Sequence, residues 1–156
     1  MAKPLAEGAK APAFALPADG GGKIALKDFA GKTLVLYFYP KDDTAGCTKE
    51  ALDFSAQIKA FEKAGAAVLG VSRDSVAKHD KFKEKHALKV ALGADEDGKV
   101  VEAYGVWVEK TMYGRKYMGI ERSTFLIDAK GVIRRIWRKV KTSGHAAEVL
   151  AAAKAL

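Results

Sequence analysis

The run Thr33 to Tyr39 is apolar at nearly every position and rich in β-branched and aromatic side chains. No alternation separates a wet face from a dry one, so the run reads as a strand buried on both faces. Pro40 ends it, because a central strand would lose a ladder hydrogen bond there. A polar loop, Lys41 to Gly46, follows. From Thr48 to Lys63 the period becomes helical, with Ala51, Phe54, Ile58 and Phe61 at spacings of three and four and Gly65 as the stop. Ala66 to Val71 predicts a second buried strand. Ser75 to His86 predicts a second helix, with Ser75 as N-cap and Val76 and Phe82 inward.

The remaining elements carry weaker patterns. Ala2 to Gly22 is rich in Ala, Pro and Gly, with Phe14 and Leu16 pinning it; Ile24 and Leu26 suggest a short strand. Val90 to Leu92 reads as a short strand, and Glu96 to Tyr104 as a helix preceded by Asp95. Thr111 to Gly119, containing Gly114, reads as a long loop. Ser123 to Ile127 and Val132 to Val140 are strands joined by the turn Asp128 to Gly131, and Ser143 opens a last helix with Ala146, Val149, Leu150 and Ala153 inward. Strands alternating with helices imply a parallel centre, whereas the short link after Ile127 requires an antiparallel pair. The pattern therefore predicts an α/β fold: a mixed central sheet flanked by helices on both faces.

Composition narrows the class. With 156 residues, the chain is expected to form one domain, residues 1–156, with no internal repeat. At this length about 70% of the unfolded chain's surface can be buried, enough for a core without covalent staples. The hydrophobic fraction of 49% and charged fraction of 29% are those of a globular chain, not a disordered one. The longest apolar runs are too short to span a bilayer, so no membrane partner is expected. Lys3 has no apolar stretch behind it, so no secretory signal is read. The single cysteine, Cys47, rules out an intramolecular disulfide and a cysteine-only metal site, and suits a reducing, cytoplasmic setting.

Several motifs fail on their chemistry. Gly93 to Lys99 copies the glycine and lysine spacing of a phosphate-binding loop. Val100 stands where the magnesium-binding hydroxyl belongs, and Asp95, Glu96 and Asp97 would repel phosphate. His79, Asp80 and His86 resemble ligands, but His79 and His86 are two helical turns apart and read as surface residues. Net charge is +8, and Arg134 to Lys141 interleaves basic side chains with Trp137. Such a run can bind nucleic acid, but charge on both faces equally suits a sheet edge, so no specific nucleic acid is expected.

The cysteine loop carries the chemistry. Cys47 lies between Gly46 and the helical run, in the first turn of the expected helix. Free backbone N–H groups and the helix field stabilise a thiolate there. Pro40 fixes the loop, Gly46 permits a tight backbone, and Thr44 can place a hydroxyl near the sulfur. Taken alone, a solitary cysteine is as readily an inert core residue.

The chain here resembles the peroxiredoxins, in particular the bacterioferritin-comigratory or peroxiredoxin Q subgroup. The family's Pro-x-x-x-Thr-x-x-Cys signature is present as Pro40, Thr44 and Cys47. The likeness extends through Tyr37 to Lys41, Gly46 to Glu50, Leu69 to Ser72, Tyr104 to Val106, Gly119 to Ile127 and Trp137 to Lys141. The resemblance implies a thioredoxin-like fold with peroxiredoxin insertions, no cofactor and no metal. It implies an antioxidant thiol peroxidase acting on hydrogen peroxide and organic hydroperoxides. Cys47 becomes a sulfenic acid, Thr44 orients the peroxide, Arg122 bridges sulfur and peroxide, and Pro40 shields the sulfur. Glu50 holds an arginine in place. Cys47 is expected in a shallow pocket close to Thr44 and Arg122.

The chain departs from many relatives at the second cysteine. Leu52 stands five positions on, and Lys83 stands in the segment where others carry it. The resemblance therefore implies a one-cysteine cycle with an external thiol, which could be thioredoxin, glutaredoxin or glutathione, in a monomer. Two other classes remain open at this stage: a peroxide-sensing redox adaptor using Cys47, and a basic nucleic-acid-binding module.

Overall fold

A computed structural model describes residues 5–156. Lys3 and the start of the Ala-rich stretch lie outside the described residues. The first hairpin pairs β1 (Ala15–Pro17) with β2 (Lys23–Ala25). The central sheet uses β3 (Thr33–Phe38), β4 (Ala66–Ser72), β5 (Ala91–Ala94), β8 (Ser123–Ile127) and β9 (Ile133–Trp137), in the order β5-β4-β3-β8-β9. β4 is parallel to both β3 and β5, whereas β8 runs antiparallel to β3 and β9. The connections include α1 (Ala45–Ala56), α2 (Ile58–Lys63), α3 (Val76–His86) and α4 (Lys99–Ala103). A separate hairpin of β6 (Trp107–Met112) and β7 (Arg115–Ile120) precedes β8, and α5 (His145–Lys154) closes the chain. This is a thioredoxin-like α/β architecture with the expected mixed sheet.

Successive side chains of β3 enter opposite layers. Val35, Tyr37 and Tyr39 pack with α1, α2, α3 and α5 through residues such as Phe54, Phe61, Phe82 and Val149. Leu34, Leu36 and Phe38 pack with Phe14, Leu16, Val101, Tyr104 and Phe125. Burial on both sides explains why β3 shows no polar alternation.

The structure corrects several expected elements. Thr111 to Gly119 is not a loop: it belongs to the β6–β7 hairpin. Tyr113 and Gly114 form its two-residue turn, both with positive φ (51° and 77°), the geometry that matches the twist of paired strands. Met112, Tyr113, Tyr117 and Met118 are exposed, so the outer part of the hairpin has no buried face to imprint an alternating pattern. The helix expected over Thr48 to Lys63 starts at Ala45 and breaks at Gln57, with no Gly or Pro to mark the break. The helix expected from Glu96 is confined to Lys99–Ala103, because Gly98 adopts a left-handed conformation before it. The last helix begins at His145 after left-handed Gly144, and the strand expected to reach Val140 stops at Trp137, where Lys139 turns the chain with a positive φ. Ser75 caps α3 as expected, its hydroxyl accepting from the Lys78 N–H at 3.2 Å.

Tyr37 sets how closely α1 approaches the sheet. Its ring stacks on Phe54 of α1, with centroids 4.7 Å apart, and lies over Gly70, its neighbour on β4. A Cβ at residue 70 would stand 2.6 Å from Tyr37 Cζ, so the ring occupies the space that glycine leaves. Gly70→Ala is expected to displace the ring and cost about 1–3 kcal/mol, the usual penalty of overpacking. A urea titration checks this: the midpoint should fall at unchanged slope. An unchanged midpoint would contradict this packing.

Candidate active site

Cys47 is the third residue of α1, beyond the carboxyl end of β3. The first intrahelical bond joins the Thr48 N–H to the Thr44 carbonyl, so the amides before Thr48 have no helical acceptor. Thr44 is the N-cap residue, and threonine there commonly accepts from those amides. Here its hydroxyl instead donates to the Lys41 carbonyl at 2.8 Å and makes no cap bond. The amides of Gly46 and Cys47 are thus left uncapped by this side chain at the positive end of the helix.

Arg122 enters from the junction of β7 and β8. Its backbone is held by the Val140 N–H, which donates to its carbonyl at 3.0 Å. Its Nη2 donates to Cys47 Sγ at 3.3 Å, while Nη1 donates to Glu50 Oε1 at 2.7 Å. A Cβ on residue 46 would lie 3.1 Å from Nη2, so Gly46 leaves the guanidinium room to approach. The structure thus brings Cys47, Glu50 and Arg122 together, although 75 residues separate Cys47 from Arg122.

The electrostatics follow from burial. Glu50 is raised to about 7, primarily by burial, with Arg122 pulling in the opposite direction. Its second oxygen, Oε2, has no hydrogen-bond partner among the described residues. Burial depresses the Arg122 pKa, but Glu50 and then Cys47 outweigh it and hold the guanidinium above its ordinary value. Tyr37 is raised by burial and then by Glu50 and Cys47, placing its ring within the field of the site.

Three expectations, those for Cys47, Thr44 and His79, differ from the structure. Cys47 is only 1% exposed, closed beneath Arg122 rather than open in a shallow pocket. A groove lined by Arg122, Val108, Lys110, Tyr117, Lys139 and Val140 lies beside it. Thr44 is exposed and bonded to Lys41, with no hydrogen bond to the sulfur. Pro40 is exposed on a neighbouring groove with Lys110 and Tyr117. His79 is not a surface residue: it is fully buried, because it shares the inward side of α3 with Phe82. That spacing was the available signal, obscured by reading histidine as polar.

Lys110 was not singled out in the sequence. Burial and then Arg122 lower its pKa, while Cys47 and Glu121 oppose the shift, so it lies within the field of the same centre. Nothing local marks it: it lies on β6, immediately before the Thr111 to Gly119 segment whose pattern suggests a loop. At the positions where relatives were expected to carry a second cysteine, Leu52 is exposed and Lys83 is paired with Asp19 at 2.7 Å.

The AhpC/TSA family model matches residues 8–136. A Coxiella burnetii protein described as a putative peroxiredoxin bcp is 54% identical over 143 residues, covering 92% of this chain and 95% of that one. Peroxiredoxin Bcp of Bacillus subtilis is 52% identical over 143 residues, covering 92% and 91%. A solved structure of Xanthomonas campestris peroxiredoxin Q superposes with a TM-score of 0.87 at 51% identity, over 91% of this chain and 90% of that one. The chain belongs to the AhpC/TSA family of peroxiredoxins, in the Bcp/peroxiredoxin Q subgroup, with Cys47 as its one cysteine.

Proposed function

We propose that this peroxiredoxin is a single-domain thiol peroxidase, residues 1–156, in which Cys47 is the peroxidatic nucleophile. The observation that carries this reading is the 3.3 Å contact between Arg122 Nη2 and the sulfur in the first turn of α1. The thiolate attacks one peroxide oxygen, forming a sulfur–oxygen bond and breaking the oxygen–oxygen bond. Cys47 becomes a sulfenic acid, while the other oxygen leaves as an alkoxide or hydroxide and takes a proton from solvent. Negative charge therefore moves from sulfur to the leaving oxygen.

Arg122 supports that movement with donors fixed at the point where charge develops. Glu50 holds the guanidinium in place. The Gly46 and Cys47 amides add donors at the sulfur. Thr44 has committed its proton to Lys41, so its oxygen accepts from a peroxide O–H and orients the attacked bond. Pro40 shields the approach from bulk water. Val108, Tyr117 and Val140 beside Arg122 suit an alkyl substituent, in keeping with a structure of the Xanthomonas campestris protein concerned with alkyl peroxide reduction. Hydrogen peroxide and organic hydroperoxides are the proposed substrates.

One cysteine cannot close an intramolecular disulfide. An external thiol attacks the sulfenic sulfur, releasing water and leaving a mixed disulfide; a second thiol frees Cys47 and leaves as the disulfide. Thioredoxin, glutaredoxin and glutathione each have the required chemistry. The reading places the protein in the cytoplasm as a monomer, where reduced thiols are abundant. Among the described residues, no helix is long and apolar enough to cross a membrane.

Stoichiometric peroxide without thiol should add one oxygen atom to intact Cys47 protein and none to Cys47→Ser. Added thiol should convert that product to a mixed disulfide and then to free Cys47, both read by intact mass. Oxidation that thiols do not reverse catalytically would identify a sensor instead. Arg122→Leu should slow single-turnover peroxide consumption by about 100-fold or more, the cost of losing one fixed donor to developing charge. An unchanged rate in the folded variant would remove Arg122 from the mechanism.

A further inference from the structure

A second buried polar cluster lies on the loop that delivers Cys47, and the peroxidase mechanism leaves it unused. His79 of α3 is fully buried. Its Nδ1 lies 2.6 Å from Asp42 Oδ2 and its Nε2 lies 2.9 Å from the Gly93 carbonyl. Both ring nitrogens face acceptors, so the arrangement is satisfied fully only when both carry protons. A ring carrying both protons, an imidazolium against the Asp42 carboxylate, is the form that matches both acceptors.

Asp42 is bound from two further directions, and one of those partners is itself held. Tyr39 donates to its Oδ1 at 2.5 Å. Its backbone N–H donates to Asp74 Oδ2 at 2.9 Å, and Ser72 donates to that same oxygen at 2.6 Å. The adjacent Asp43, at a positive φ of 60°, is gripped by Lys85 and His86 at 2.7 Å and 2.8 Å. The two histidines, seven residues apart on α3, thus hold neighbouring aspartates of one loop. That loop begins at Pro40 and ends in the turn that carries Thr44, Gly46 and Cys47.

We propose that His79 is a positioning residue for Cys47, its imidazolium–Asp42 pair fixing the β3–α1 loop and hence the first turn of α1. This inference rests on the peroxidase reading of Cys47. The groups facing His79 are Asp42 and Tyr39 from the β3 side, Asp74 from the β4–α3 connection, and the Gly93 carbonyl of β5. Burial lowers the His79 pKa, but Asp42, then the Gly93 carbonyl and Asp74, overcome it and raise the pKa above 6.5. The stabilising pair is therefore complete below the ordinary histidine value. It is lost as pH rises through the higher folded value, leaving a neutral ring with one unmatched nitrogen. The third histidine provides contrast. His145 lies against Thr124, Phe54 and Trp137, and burial lowers it to about 4, so it stays neutral across that interval.

The test uses the whole protein and measures two quantities over one pH series. Heteronuclear NMR follows the His79 ring, with His145 as the silent reference, while quenched single turnovers give the rate of Cys47 oxidation by hydrogen peroxide. His79 should be doubly protonated at neutral pH, and the rate should fall as that ring loses its proton. His79→Gln and Asp42→Asn should each slow oxidation roughly 10- to 100-fold, the scale of a small displacement of a reacting group. The double variant should be no slower than the slower single variant. A neutral His79 ring at neutral pH, or a rate that does not fall through its titration, overturns the proposal even where neither variant folds. Reaction of the wild type at neutral pH tests the peroxidase reading separately, so failure of that reading is distinguishable from failure of the His79 assignment.

Discussion

The Arg122 guanidinium ties the two halves of the candidate active site together. One nitrogen faces Glu50 and the other faces Cys47, while the backbone is fixed by Val140 from beyond β9. A half-buried cation needs matched partners, because desolvation otherwise offsets what one attraction returns. Glu50 provides that partner without occupying the donor aimed at sulfur. Its own elevation to about 7 shows that burial of the carboxylate is only partly offset by Arg122. The arrangement is therefore charged and tightly constrained, with a carboxylate poised near neutrality one helical turn from the nucleophile.

The sheet positions this pair by ordinary packing. Tyr37 lies between Phe54 of α1 and Gly70 of β4, and that stack fixes the height of α1 above the sheet. The loop containing Pro40 to Thr44 leaves the carboxyl end of β3, and Ser72 and Asp74 stand at the end of neighbouring β4. Parallel strands gather such loops at one edge, where α/β folds commonly place their chemistry. Arg122 reaches that edge from the antiparallel side, so the mixed sheet is what allows α1 and the β7–β8 junction to meet.

The basic run at the end of the chain has partners within the fold. Arg135 lies over Trp137 at 4.6 Å and pairs with Glu148; Arg134 pairs with Asp128; Arg138 donates to the Leu5 carbonyl and lies over Phe125. β9 is the edge strand of the central sheet, where charge discourages pairing with another chain. These contacts favour the edge-strand reading over a nucleic-acid surface.

The sequence alone determined the two-sided burial of β3 and the mixed sheet. Both are local: an unbroken apolar run and a short strand connection. The nucleophile was indicated by the family resemblance, since a lone cysteine at a strand-to-helix transition is as readily an inert core residue. The same resemblance indicated Glu50 and Arg122, but not their mutual distance. The tertiary structure decided what depends on contacts distant in sequence. His79 is buried where Asp42 and the Gly93 carbonyl converge on its two ring nitrogens, and Lys110 enters the field of Cys47 because β6 pairs with β7 in a hairpin. Hydrophobic period reports which way a side chain faces along its own element. It carries no information about which polar groups another element will bring to meet it, and those meetings set the charge, burial and orientation of the site.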